Sequence, residues 1–359
     1  MKKKSRQFLE TYLNNSSPTG FESSGQKIWL DYIKPWIDEY ISDAYGTVVG
    51  VVNPKAQYKV VIEAHADEIS WFVSYINEKG YISVTQNGGS DPQIAPAKRV
   101  NIYTDNGVVE GIFGWPAIHV RDKSNNGAPE VKKLFIDVGA DSKEEVEKMG
   151  ILPGCVVTFQ DEMTTLNNEK WLVGRALDNR IGGFMIAETL RMIAESGKKL
   201  PFGLYVVNSV QEEVGLRGAQ MISRRIRPDV AIVTDVTHDT QSPPYQALKA
   251  SEGDIACGKG PVLTWGPAVQ NNLLKMLVER AEEKQIPYQR AAASRSTGTD
   301  TDAFAYSDVG VPSALISLAL KYMHTTVEMV AMEDVENVIK LMYEFVMGLK
   351  RGHDFRYIT

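Results

Sequence analysis

Hydrophobic positions along the chain change their period twice. Near the N-terminus, residues 7–15 read as an amphipathic helix, and Pro18-Thr19-Gly20 is a loop. A second helix is expected over 21–34, ended or kinked by Pro35. Residues 59–64 form a short apolar run of the kind found in a buried strand. From about 69 to 167 the runs become short and β-like, at 81–84, 99–103, 108–113 and 155–159, broken by Gly, Asn, Asp and Pro. Asp105-Asn106-Gly107 between two of them is a hairpin signal, and only 142–149 reads as a helix there. From about 170, strands and helices alternate. Helices are expected at 180–196, 218–226, 268–284 and 332–348, and strands at 203–209, 229–234 and 312–318. This alternation predicts an α/β sheet with helices on both faces, built from two separated segments with a small β-rich, barrel-like unit inserted between them.

Composition narrows the chemistry. The 359 residues are 43% hydrophobic and 23% charged, with a net charge of −6, which suits an ordinary globular protein and gives no support for a nucleic-acid or anionic-membrane partner. Two isolated cysteines, Cys155 and Cys257, cannot supply a four-thiolate zinc site or a disulfide framework. A bound metal would therefore rest mostly on carboxylates and imidazoles. The basic N-terminus lacks the apolar core of a signal peptide, and no run approaches the length of a membrane span. A cytoplasmic location is expected.

Several familiar signatures fail. There is no His-Glu-x-x-His, no Gly-x-Ser-x-Gly and no Gly-x-Gly-x-x-Gly. Residues 253–259 match a phosphate-binding loop up to Lys259, but Gly260-Pro261 replaces the hydroxyl residue that would hold magnesium.

Polar clusters do recur at or near the C-terminal ends of predicted strands, where open α/β sheets bind ligands. They are His65-Ala66-Asp67, Asp178, Glu212-Glu213, Asp235 and His324. Each has an ordinary reading. His65 and His324 could be hydrogen-bonded core histidines, Asp178 a helix cap, Glu212-Glu213 a solvated loop and Asp235 a strand-end turn. Asp67 lies two positions after His65 on the same face of an extended segment, a spacing that suits a carboxylate orienting a metal-bound imidazole. Glu212 and Glu213 would repel each other if buried without a cation. His238 reads as part of a loop, and His119 and His353 as structural or surface residues. Together the clusters form a plausible ligand set for two divalent metals, with zinc or cobalt favoured and manganese also suited.

The ordered motifs Glu63-Ala64-His65-Ala66-Asp67-Glu68-Ile69, Gly88-Gly89-Ser90-Asp91-Pro92-Gln93, Arg175-Ala176-Leu177-Asp178-Asn179-Arg180, Gln211 to Ala219, Asp235-Val236-Thr237-His238, Gly258-Lys259-Gly260-Pro261, Gly298-Thr299-Asp300 and Tyr322-Met323-His324 resemble the tetrahedral and glutamyl aminopeptidases of peptidase family M42. The resemblance covers essentially the whole chain. It implies an α/β/α sandwich over 1–68 and 168–359, carrying a dinuclear metal site, with an inserted β-rich dimerisation domain over 69–167. His65 and Asp235 would bind one metal, Glu213 and His324 the other, and Asp178 both. Asp67 would orient His65, and Glu212 would be the general base. Subunits would form dimers that assemble into dodecamers, and the substrates would be peptides.

The chain departs from the family pattern at Thr325-Thr326, at Ala319-Leu320-Lys321 and after Asp300. These departures bear on substrate preference, as do Lys259 and the 294–302 loop, to which no role is assigned. Two other functions fit the residues less well. A glycosidase needs two carboxylates facing each other across a sugar, which adjacent Glu212 and Glu213 do not naturally do. A non-catalytic scaffold would be expected to lose metal ligands, and none is missing.

Overall fold

The computed structural model describes residues 1–121 and 127–358. Its largest sheet has eight strands, in the order Glu39–Ser42, Val48–Val52, Gly203–Ser209, Lys59–His65, Val230–His238, Ser313–Leu320, Val262–Trp265 and Gln289–Ala292. Four neighbouring strands at its centre run parallel, from Gly203–Ser209 across to Ser313–Leu320. Their sequences are nearly continuous apolar runs because helices cover both faces. Ser313–Leu320 is buried at every position, and so is Gly203–Ser209.

A second β structure lies between the segments of this sheet. Ser70–Ile76, Ile82–Asn87, Phe135–Asp137, Gly107–Phe113, Arg99–Thr104 and Val156–Phe159 close into a six-stranded antiparallel barrel. Closure leaves no free sheet edge. Its interior is filled by Trp71, Val73, Ile82, Val100, Ile102, Phe113, Ile136 and Val157. A three-stranded sheet of Thr164–Leu166, Trp171–Gly174 and Glu328–Ala331 links the barrel to the last strand of the chain. The molecule is thus a mixed α/β protein with a barrel inserted into it.

The elements differ from the sequence expectation in specific ways. The helix expected from residue 268 begins at Asn271, because the Gln270 side chain accepts the Leu273 N–H and caps it there. The Leu177–Glu195 helix opens with Asp178 and Asn179 in non-helical conformations, so regular winding starts at Arg180, as expected. The strand expected over 229–234 runs on through His238, which pairs with Leu320. His238 therefore ends a strand and does not sit in a loop. Val48–Val52 was missed because Gly50 interrupts its β-branched run. Yet a Cβ at Gly50 would approach Ile33 Cδ1 to 2.5 Å, so a close-packed helix requires the glycine.

Candidate metal centre

Parallel pairing brings the chemistry together. His65 ends one central strand, and Ser209, its register partner, ends the neighbouring one. The chain then turns through Gln211, at φ 58°, into a single 3-10 turn that carries Glu212 and Glu213. Asp235 projects from the next strand over, and His324 follows the Ser313–Leu320 strand at φ 61°. Asp178 arrives from the opening of the Leu177–Glu195 helix, in a segment where its ordinary reading was a cap. The cap position belongs to Ala176, and the Asp178 side chain is free for other work.

The geometry divides into two sets that share one residue. His65 Nε2 lies 3.3 Å from Asp178 Oδ1 and 3.8 Å from Asp235 Oδ1. His324 Nε2 lies 3.4 Å from Asp178 Oδ2 and 3.5 Å from Glu213 Oε2. Within each set, one ligand-type atom per residue falls inside 4.8 Å of the others. Asp178 thus presents one oxygen to each imidazole. Glu212 Oε2 stands 3.9 Å from His65 Nε2, outside both sets but beside them. The five residues expected as ligands and the expected base lie together, and Asp67 lies directly behind them.

The electrostatics of this cluster call for positive charge. Burial pushes Glu212 up to about 9, with the His65 imidazole opposing the shift and Asp235 adding to it. Burial raises Asp235 to about 8 against the same imidazole, and Asp178 adds to the rise. Glu213 is also pushed well up, by burial and then by Asp178. Asp178 itself goes the other way: burial would raise it, but the adjacent imidazoles of His324 and His65 outweigh burial and hold it low. Burial would lower His65, yet Asp178 and then Asp67 raise it well above its ordinary value. Glu213 Oε1 is buried with no hydrogen-bond partner. Four carboxylates around two imidazoles, with an orphaned oxygen among them, are a donor set suited to divalent cations.

Asp67 does more than its sequence spacing suggested. Its Oδ1 lies 3.3 Å from His65 Nδ1, outside hydrogen-bond geometry, and accepts the Glu212 N–H at 3.0 Å. Its Oδ2 accepts the Glu213 N–H at 3.2 Å and the Thr19 hydroxyl at 2.9 Å. One carboxylate thereby ties the histidine strand to the glutamate turn.

Sequence reasoning missed three supports. Glu328 is buried, and its two oxygens accept the backbone N–H groups of His324 at 2.7 Å and Asp178 at 3.0 Å. No spacing marked it, although a glutamate in an otherwise apolar strand is a signal. Ser209 Oγ lies 2.6 Å from Glu63 Oε1 and 2.7 Å from Asp300 Oδ2, and both buried carboxyls are pushed up by that burial. The barrel also reaches the site: a Cβ on Gly89 would come within 2.6 Å of His324 Nδ1. The phosphate-loop near miss is excluded by its surroundings, because Asp334 accepts the N–H groups of Gly258 and Gly260.

A cleft of 350 Å³ opens over the cluster. Beyond His65, Asp178, Glu212, Glu213, Asp235 and His324 it is lined by Val236, Thr237, His238, Glu252, Thr297, Gly298, Thr299 and Met323. The 294–302 loop therefore contributes to the wall through Thr297–Thr299, and Lys259 does not. His119 and His353 are exposed elsewhere. Among the described residues, no helix is long and apolar enough to cross a membrane.

Comparison with known proteins identifies the family. The model of the M42 glutamyl aminopeptidases matches residues 46–341. A lysyl aminopeptidase of Pyrococcus furiosus is 32% identical over 349 residues, covering 96% of this chain and 97% of that protein. The crystal structure of a TET aminopeptidase from a marine sediment Thaumarchaeota archaeon superposes with a TM-score of 0.90 at 30% identity, covering 97% of this chain and 98% of that one. A TET1 peptidase of Pyrococcus horikoshii, which can assemble into a tetrahedron or a large octahedral shell, superposes with a TM-score of 0.85 at 25% identity over 96% of this chain and 100% of that one. With a family model spanning most of its length, this chain belongs to the M42 glutamyl aminopeptidase family and is an aminopeptidase.

Proposed function

We propose that this aminopeptidase works with two divalent cations, one held by His65 and Asp235, the other by Glu213 and His324, with Asp178 shared between them. The observation that carries the proposal is the placement of the two Asp178 oxygens, one toward each imidazole. Bound cations of this kind acidify water and polarise a peptide carbonyl. Zinc or cobalt fits the mixed carboxylate and imidazole donors, and manganese is a further candidate.

The chain's own residues account for the rest of the reaction. Glu212 lies within reach of the same space but belongs to neither ligand set. It is the group to take a proton from a water attacking the scissile carbonyl and to deliver it to the leaving amine. Burial favours its protonated form, and positive charge in the cluster would restore the ionised form that a base requires. Asp67 positions this base through the Glu212 N–H and backs the His65 ring. Glu328 holds the backbones of His324 and Asp178 together.

The division into a catalytic part over 1–68 and 168–359 and a dimerisation part over 69–167 belongs to the same proposal, as do a cytoplasmic location and assembly of dimers toward a dodecamer. The shell-forming relative supports the assembly. The test combines metal counting with turnover. Equilibrium titration of metal-free protein should reach two ions per chain and restore cleavage of aminoacyl chromogenic substrates. Glu212→Gln should retain both ions and lose most of the turnover. Saturation at one ion, or near-full activity of that variant, would reject the corresponding assignment.

A further inference from the structure

The cleft over the cluster holds one carboxylate that the reaction does not use. Glu252 lines it together with Asp178, Glu212, Glu213 and Asp235, and those four belong to the proposed metal and base machinery. Among the described residues, no Lys or Arg lines the cleft, so neither kind of side chain neutralises Glu252 there. The nearest candidate in sequence is Lys249, on the same short helix, and its ammonium is engaged elsewhere. It lies 2.9 Å from Asp254 Oδ1 and 2.8 Å from Gln241 Oε1. The other available groups on the wall are threonine hydroxyls, an imidazole and apolar side chains. The Thr297 and Thr299 hydroxyls are 2.9 Å apart and bonded to each other, and Thr299 also caps the Asp300–Ala305 helix through the Thr301 N–H. His238 stacks on Tyr245 at 5.5 Å. Met323 and Val236 supply apolar surface.

This wall has the composition that accepts a long aliphatic stem ending in a cation. The stem is desolvated against Met323 and Val236, and the charged head keeps partial hydration beside an acidic partner. With the cluster carboxylates matched by the proposed cations, an acidic side chain in the same space would face Glu252 with no Lys or Arg among the described residues to meet it, and like-charge placement of this kind is how sites reject a ligand.

We propose that the cleft selects peptides whose N-terminal residue carries a cationic side chain, with Glu252 as the specificity-determining residue. The inference rests on the aminopeptidase reading of the cluster beside it. Glu252 makes no contact with the reacting bond. It acts on the N-terminal residue's side chain, so its effect should fall on KM for cationic substrates more than on kcat.

The test compares lysyl, arginyl, leucyl and glutamyl p-nitroanilides on metal-loaded enzyme, wild type and Glu252→Gln. Wild type should rank lysyl and arginyl above glutamyl in kcat/KM. In Glu252→Gln the lysyl-to-leucyl ratio of kcat/KM should fall about five-fold, the size expected for one partly solvated ion pair, mainly through KM. Glu252→Lys should move the ranking toward the glutamyl substrate. Cleavage of the leucyl substrate without a lysyl-over-glutamyl preference would overturn the inference and leave the aminopeptidase reading standing. No cleavage of any substrate would overturn that reading itself. An equal fall for lysyl and leucyl substrates in Glu252→Gln would show that Glu252 meets the α-ammonium common to both, or only supports the fold, and would also overturn the assignment.

Discussion

The two β structures of this chain treat charge in opposite ways. Among the described residues, the barrel interior buries Trp71, Ile82, Ile102, Phe113 and Ile136 and no Asp, Glu, Lys, Arg or His. The large sheet and its helices bury Glu22, Glu63, His65, Asp67, Glu68, Arg175, Asp178, Arg180, Asp235, Asp300 and Glu328. An apolar interior is stabilised by burial, largely independent of pH. A dry region rich in carboxylates carries large desolvation costs that specific partners must offset, so its stability depends on pH and on bound cations. The barrel is built to be a stable body, and the sheet edge is built to hold charge where water is scarce.

That contrast can be broken, beginning with its largest expected effect. Replacing Asp178 by Ala removes the one residue shared by both ligand sets. Turnover should fall by at least about 10³-fold and metal stoichiometry should drop, checked by kinetics and by metal analysis of the purified variant. Full metal content with high activity would mean that the two sets are independent of Asp178.

Phe113→Ala tests the barrel. Phe113 is buried and meets Trp71 edge-on at 5.7 Å. Truncation should destabilise the chain by about 3–5 kcal/mol in denaturant unfolding. The loss should be nearly the same at pH 5 and pH 8, because among the described residues no buried Asp, Glu, Lys, Arg or His lies in that core.

Glu22 tests the charged side. It is buried, and it is raised to about 7, chiefly by burial and then by Asp67. Its folded value is above its unfolded value of 4.5, so its contribution to stability is fully present below pH 4.5 and is lost as pH rises through 7. Glu22→Gln removes that loss, so the variant should gain on wild type by about 2–3 kcal/mol between pH 4.5 and pH 8, measured as the pH dependence of unfolding free energy. A pH-independent difference would show that Glu22 is not held in its neutral form by the fold.

The smallest effect lies where the two regions meet. Gly89 belongs to the loop after the Ile82–Asn87 barrel strand, and its Cα faces the His324 ring. Gly89→Ala should push that ring aside and reduce kcat/KM about tenfold or more, with unfolding stability nearly unchanged, since small displacements of catalytic geometry are costly. An unaffected kcat/KM would show that the ring can move without penalty and that the barrel does not help place it.

Much of this was legible in the order of residues. Alternation of apolar runs with helical spacing predicted the sheet, and the change of texture after residue 69 predicted the inserted β unit. His65, Asp67, Asp178, Glu212, Glu213, Asp235 and His324 could all be singled out because polar residues at the ends of apolar strands are costly unless they have work. Glu328 and Ser209 could not, and Gly89 stood out only as part of a motif, with no role attached. Their significance lies in hydrogen bonds or packing to residues far away in the chain, and neither periodicity nor spacing records such partners. Glu252 was hidden for a related reason: an acidic residue in a polar loop looks like any solvated one until the cleft it lines is known.

Hydrophobic periodicity and the order of the motifs, then, determined the fold class and the chemistry, because those depend on local pattern and residue type. Only the tertiary structure decided that Asp178 offers an oxygen to each histidine, that Asp67 ties the strand to the glutamate turn and that the barrel touches His324. Those are distances set by the parallel register of four strands and by one turn with positive φ. They arise from how segments pack, which no single stretch of the chain contains.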